Sequence, residues 1–132
     1  MADSIGDLLR KDMECEGLLE CLHGLKDLDR RCFEVLVESD EPLTVDEVAE
    51  RVDRERSTAY RAVQRLLRVG LIGKEQVNYD DGGYYHVYHA ADADEIADEM
   101  QRILNDWYAQ MGQLIGEFRE KYDSKAQPQP AE

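Results

Sequence analysis

Residues 51–70 read RVDRERSTAYRAVQRLLRVG, and the way charge and methyl groups are ordered in this stretch decides the fold. From Arg51 to Lys74 the chain holds seven basic residues against two acidic ones, although the full 132 residues carry 30 acids, 16 bases and a net charge of −14. Placed on a helix at about 100° per residue, Ala59, Ala62, Val63 and Leu66 gather on one side. Arg54, Ser57, Thr58, Arg61, Gln64, Arg65 and Arg68 fall within roughly 120° of one another on the other side. The spacing predicts a helix over 55–69 with an apolar underside and a basic, hydroxyl-bearing outer face. A merely solvated arginine face is the ordinary alternative.

The flanking segments weigh against that alternative. Thr44 stands before VDEVAERV with Glu47 three residues on, the capping-box pattern, and Val45, Val48, Ala49 and Val52 make a short apolar stripe. Asp53 follows as a turn residue and a candidate N-cap for the basic helix. After Gly70, LIGKEQVNY and YYHVYHA are rich in β-branched and aromatic residues and are joined by DDGG, which predicts a hairpin over 72–89. Two short helices across a tight turn and then a hairpin describe a winged helix-turn-helix. The expected fold is mainly α with a β-hairpin wing, plus a long C-terminal helix.

Residue type then suggests chemistry. Arginine can grip guanine O6 and N7, or a phosphate, with two parallel hydrogen bonds. Ser57 and Thr58 lie in the first turns, where hydroxyls and free backbone N–H groups can meet phosphate. The candidate contacts to double-stranded DNA are Arg54, Arg56, Ser57, Thr58, Tyr60, Arg61, Gln64, Arg65 and Arg68, with Lys74, Asn78 and Tyr79 on the wing. Gln76, Tyr84 and His86 accompany them; Tyr85 and Tyr88 suit cross-strand packing equally well.

Upstream, Ile5, Leu8 and Leu9, then Cys15, Leu18, Leu19 and Leu22, recur at helical spacing in a segment interrupted near Gly17 and closed by Gly24. DRRCFEVLVES follows, opened by Asp27 or Asp29, with Phe33, Leu36 and Val37 as its inward face. Downstream, DADEIADEMQRILNDWYAQMGQLIGEFREKY runs about 30 residues without proline, roughly 43 Å as a helix. Met100, Ile103, Trp107, Met111, Leu114 and Phe118 recur at intervals of three or four and form a seam suited to a second copy. A homodimer is expected, because one winged helix reads only a few base pairs. The chain divides into an N-terminal helical extension (1–24), a winged helix-turn-helix (25–91), a dimerisation helix (92–123) and a tail (124–132) expected to be disordered.

The acidic, lysine-poor balance suits concentrated salt, where the screening length falls to roughly 3 Å and only charge touching a partner counts. There is no basic segment leading into an apolar run and no stretch near the roughly 20 apolar residues of a membrane span, so a cytoplasmic protein is expected. Three cysteines without CxxC spacing argue against a disulfide framework and a zinc ribbon. Cys15, Cys21 and Cys32 are redox candidates or small core residues; Glu14, Glu16 and Glu20 disfavour a thiolate nearby. Cys15, Cys21, His23 and Cys32 match no familiar zinc spacing, and His86 and His89 point to opposite sides of their strand. With no glycine-rich phosphate loop and no paired acid and base, neither metal, cofactor nor catalysis is expected.

PLTVDEVAERVDRERSTAYRAVQRLLRVGLI, followed by YYHVY, resembles the winged-helix domain of TrmB-like archaeal transcription regulators over roughly residues 25–95. The likeness is nearest to small acidic forms from salt-loving archaea. It implies a transcription regulator with Ser57, Thr58, Tyr60, Arg61 and Arg65 on its DNA side, and it raises redox sensing through the cysteines. Larger members carry a C-terminal sugar-binding domain with no counterpart in these residues, so sugar sensing is not expected. Two other readings stand beside this one: a winged helix serving as a protein-interaction module of the transcription machinery, and a metal-responsive regulator. Operator, sign of regulation and small-molecule effector are not specified by the sequence.

Overall fold

The computed structural model describes Cys15 and residues 17–126. The expected helical positions Ile5, Leu8 and Leu9 and the last residues of the tail lie outside the described residues. The chain forms two compact units, one up to Ile96 and one from Ala97. The first contains helices α1 (Gly17–His23), α2 (Asp27–Glu38), α3 (Val45–Val52) and α4 (Arg56–Arg68) and strands β1 (Ile72–Asn78) and β2 (Tyr84–Ala90). Helix α5 (Ala93–Ala126) starts in the first unit and makes up the second.

Local chemistry sets the helix ends. Cys15 lies in a turn and α1 begins at Gly17, while the segment before Cys15 lies outside the described residues. Gly24 closes α1 at φ +70°, a conformation costly for any residue with a Cβ. Helix α3 has the capping box read from the sequence: the Glu47 N–H donates to Thr44 Oγ1 at 3.2 Å, and the Thr44 N–H donates to Glu47 Oε1 at 2.9 Å.

Asp53 plays a different part from the one expected. It sits at φ 58°, ψ 51° as the C-cap of α3, with its N–H on the carbonyls of Ala49 and Glu50. A left-handed residue turns the chain out of α3, and two more residues pass before helical geometry resumes. Glu55 therefore holds the N-cap position of α4, without a side-chain capping bond, and Arg54 belongs to the turn. The basic helix covers 56–68 where 55–69 was expected.

Helix α2 also buries a different face. Asp29, Cys32 and Leu36 point inward, while Phe33 is half-buried and Val37 is exposed. The displacement follows from Asp29, which accepts a hydrogen bond from the Lys26 N–H at 3.3 Å and pairs with a cation on another helix of the bundle. Around it α2, α3 and α4 enclose Cys32, Val48, Val52, Val63, Leu66 and Leu71, all 1 % exposed or less. Each large aliphatic side chain so buried contributes about 1.5–3 kcal/mol.

The strands pair antiparallel from Ile72 opposite Ala90 to Asn78 opposite Tyr84. Leu43 extends this ladder by one bridge: its N–H donates to the Tyr88 carbonyl at 2.9 Å, and the Tyr88 N–H donates to the Leu43 carbonyl at 2.7 Å. The hairpin is thus fastened to the segment that leads into α3. Gly73 leaves room for the His89 ring, which an added Cβ would meet at 2.6 Å.

Helix α5 opens on Asp92, whose Oδ2 accepts the N–H groups of Asp94 and Glu95 at 3.1 and 3.2 Å. It has 34 residues, about 50 Å of helix, and ends at Ala126, beyond the expected limit of 123. Along it Met100, Leu104, Trp107, Met111, Leu114 and Phe118 alternate at steps of four and three, the heptad pattern. Leu104 therefore continues this stripe, and Ile103 lies beside it. A lone helix has no interior, and Trp107, Leu114 and Phe118 are exposed. No helix among the described residues is long and apolar enough to cross a membrane.

Candidate nucleic-acid interface

Helix α4 has two unlike sides. Ala59, Ala62, Val63 and Leu66 are fully buried. Arg56, Ser57, Tyr60, Arg61 and Arg68 are exposed, as is Arg54 in the preceding turn; Thr58 and Gln64 are half-buried. Small alanines on the underside let the helix lie close to α2 and α3, and its outer side chains face solvent. Arg56 Nε meets Asp46 Oδ1 at 2.9 Å, but both side chains are largely exposed, so the pair is weak and open to exchange.

Arg65, expected on the DNA side, is also engaged within the protein. Its Nη2 donates to Asp29 Oδ1 at 2.7 Å and its Nε to Oδ2 at 3.0 Å, a fork-to-carboxylate pair joining α4 to α2. Asp29 is 1 % exposed and Arg65 remains 41 % exposed, so the guanidinium caps a carboxylate that water does not reach. The hydrogen bond to Asp29 raises the Arg65 pKa further above its ordinary value. The fork that would read a guanine is already occupied. Residue 65 lies at the border between the two sides of the helix, which brings it within reach of α2.

Two contributors were not read from the sequence. The sequence pattern gives Asp29 only a helix-opening role, and nothing linear ties it to an arginine 36 positions later. Arg31 donates from Nη2 to the Val52 carbonyl at 3.0 Å, closing the C-terminal end of α3 beside the turn.

On the hairpin, the register puts Lys74, Gln76 and Asn78 on the same face as Tyr88, His86 and Tyr84. Gln76 donates to Asn78 Oδ1 at 2.9 Å. Tyr79 packs against Tyr85 with ring centroids 5.1 Å apart, and Tyr84 meets His86 edge-on at 5.5 Å. Tyr88 is buried, and burial pushes its phenol pKa up. Between Ile72 and Ala90 the hairpin has one lysine against Glu75, Asp80 and Asp81. Its polar surface is thus mainly amide and phenol rather than cationic. A cleft of about 550 Å³ lies between this surface, the first turn of α3 and the first turns of α4.

The cysteines divide. Cys15 and Cys21 are exposed free thiols; Cys32 is buried. Burial, reinforced by Asp29, pushes the Cys32 thiol up to about 11, so it is a core residue rather than a nucleophile. Among the described residues no group of three or more His, Cys, Asp or Glu is placed to hold a metal ion.

Comparison with known proteins accords with this architecture. The family model described as "Sugar-specific transcriptional regulator TrmB" matches residues 19–94. The chain belongs to the TrmB family. Two relatives from Methanocaldococcus jannaschii, the uncharacterized proteins MJ1082 and MJ1503, are each 34 % identical to it, over 110 and 103 residues. These alignments cover 83 % and 78 % of this chain and 90 % and 77 % of the relatives. A solved structure titled "Possible transcriptional regulator from Methanosarcina mazei Go1" superposes with a TM-score of 0.71 at 25 % identity, covering 81 % of this chain and 90 % of that one. The ST1889 protein of Sulfolobus tokodaii shares the fold, with a TM-score of 0.60 at 15 % identity, 73 % of this chain and 93 % of that one. This TrmB-family protein is therefore a winged-helix member of a family of transcriptional regulators, not of enzymes.

Proposed function

We propose that this TrmB-family protein is a homodimeric regulator that binds double-stranded DNA sequence-specifically, with α4 in the major groove and the β1–β2 hairpin along the backbone. The observation that carries the reading is the division of α4: an underside with no exposure and an outer side that offers Arg56, Ser57, Tyr60, Arg61 and Arg68 to solvent. Arg61 lies in the middle of that side and, unlike Arg65, has an unspent fork for a base edge or phosphate. Lys74, Asn78 and Tyr79 supply the wing contacts. The heptad stripe on α5 supports pairing of two copies, which two-fold operators require. In concentrated salt, to which the acidic composition is suited, counterion release contributes less, and base-edge and apolar contacts carry more of the affinity.

The deciding experiment is fluorescence anisotropy of the intact protein on genomic fragments, repeated with Arg61→Ala. Loss of specific binding in a variant of unchanged stability is expected; unchanged affinity would remove α4 from the groove. Any response to oxidant should run through Cys15 and Cys21, the two exposed thiols.

A further inference from the structure

The cleft between α4 and the hairpin has a composition that the DNA reading does not use. Its walls carry five tyrosines, Tyr60, Tyr79, Tyr84, Tyr85 and Tyr88, together with Arg56 and Asp46. Four of the rings keep a third or more of their surface in solvent, from 36 % for Tyr85 to 58 % for Tyr84. The Tyr79–Tyr85 and Tyr84–His86 contacts hold those rings in place, so the aromatic surface is preformed. A volume of about 550 Å³ is within the usual range for small-ligand sites.

Charge selects among ligands. The cleft's one arginine has its Nε on its one carboxylate, Asp46, so the formal charges of the lining cancel and the cleft offers no net positive charge to an anionic guest. What remains is the electron-rich faces of several phenols, which attract cations. A primary ammonium entering the cleft would forfeit hydrogen bonds to water from three N–H groups, and the cleft has a single carboxylate, shared with Arg56, to replace them. A quaternary ammonium has no N–H to leave unsatisfied, and its methyl groups pack on ring faces. The volume leaves space beside a trimethylammonium head for a short polar arm reaching the tyrosine hydroxyls or Arg56.

We propose that this cleft is a binding site for a small quaternary ammonium compound, and that occupancy of the site displaces DNA. Binding itself stands on the cleft alone; displacement rests on the DNA reading above, through Arg56 and Tyr60, which belong to both surfaces.

The test is calorimetric titration of the full chain with tetramethylammonium chloride and choline chloride at ionic strength fixed with sodium chloride. Saturable binding is expected, with ammonium chloride at least about fivefold weaker. Tyr60→Leu and Tyr84→Leu, checked for an unchanged circular dichroism spectrum, should each weaken binding about fivefold, and Tyr60→Phe should preserve it, because the ring face is retained. Absence of saturable binding, equal affinity for ammonium, preference for benzoate, or a loss in Tyr60→Phe as large as in Tyr60→Leu would overturn the site. Choline should also raise the apparent Kd of the protein for its DNA fragment. Binding of choline with unchanged DNA affinity would overturn the displacement. Binding of choline by a protein with no affinity for DNA would sustain the site and end the regulator reading.

Discussion

Arg65 and Asp29 lie 36 residues apart in sequence and meet through a two-pronged hydrogen-bonded ion pair, with Nη2–Oδ1 2.7 Å and Nε–Oδ2 3.0 Å. The carboxylate is buried and the guanidinium half in water, so the two partners are not equivalent when one is removed. Arg65→Met would leave an uncompensated charge inside the bundle and should cost about 3 kcal/mol, near the lower end for such pairs because the arginine side is partly solvated. Asp29→Asn combined with Arg65→Met should recover much of that loss. Urea unfolding of the two variants checks this. A stable Arg65→Met protein with weakened DNA binding would return Arg65 to the groove.

Arg61 should behave in the opposite way. Arg61→Ala is expected to change unfolding by less than about 0.5 kcal/mol, as surface substitutions usually do. Specific DNA affinity should fall by about 1–3 kcal/mol if the residue reads a base, and the salt slope should drop by about 1 if it holds a phosphate. Anisotropy across a series of salt concentrations separates the two outcomes.

The thiols give a third prediction. In the native protein at pH 8, a thiol reagent should label Cys15 and Cys21 and spare Cys32. The Cys32 pKa rises from an ordinary 9.0 to about 11 on folding. A raised acid pKa means that the stabilisation is complete below 9.0, declines as pH climbs, and is lost on passing about 11. Unfolding followed between those limits should show an alkaline loss of stability accompanied by exposure of Cys32 to the reagent.

The stripe on α5 gives a fourth. Trp107→Glu or Met111→Lys should convert a dimer into a monomer in light scattering, and operator affinity should fall by at least an order of magnitude, because two half-sites no longer bind as one. A dimer that survives both substitutions would move the pairing surface elsewhere.

The winged helix was legible because its signals are local. The Thr44–Glu47 capping box, the Ala59, Ala62, Val63, Leu66 stripe and the strand chemistry of 72–90 each depend on neighbours within a few residues, and each element formed where those signals stood. What failed depended on backbone conformation or on distance. Asp53 serves the helix behind it rather than the one ahead because its left-handed backbone, which type alone does not reveal, ends α3. The inward face of α2 turned toward Asp29 because a buried carboxylate needs a cation, and its cation comes from another helix. For the same reason a helical wheel shows Arg65 like its neighbours and does not show its ion pair with Asp29. The tyrosine cleft draws on three separate segments, which no periodicity connects.

The doubled backbone bond between Leu43 and Tyr88 has a mechanical consequence. It welds the hairpin to the segment that feeds α3, and α3 is joined to α4 by a three-residue corner, so wing and helix share one rigid chassis. A signal acting on such a protein has little to bend inside the chassis. On the proposed reading, control comes by blocking its surface or by changing the pitch at which two such units meet the double helix.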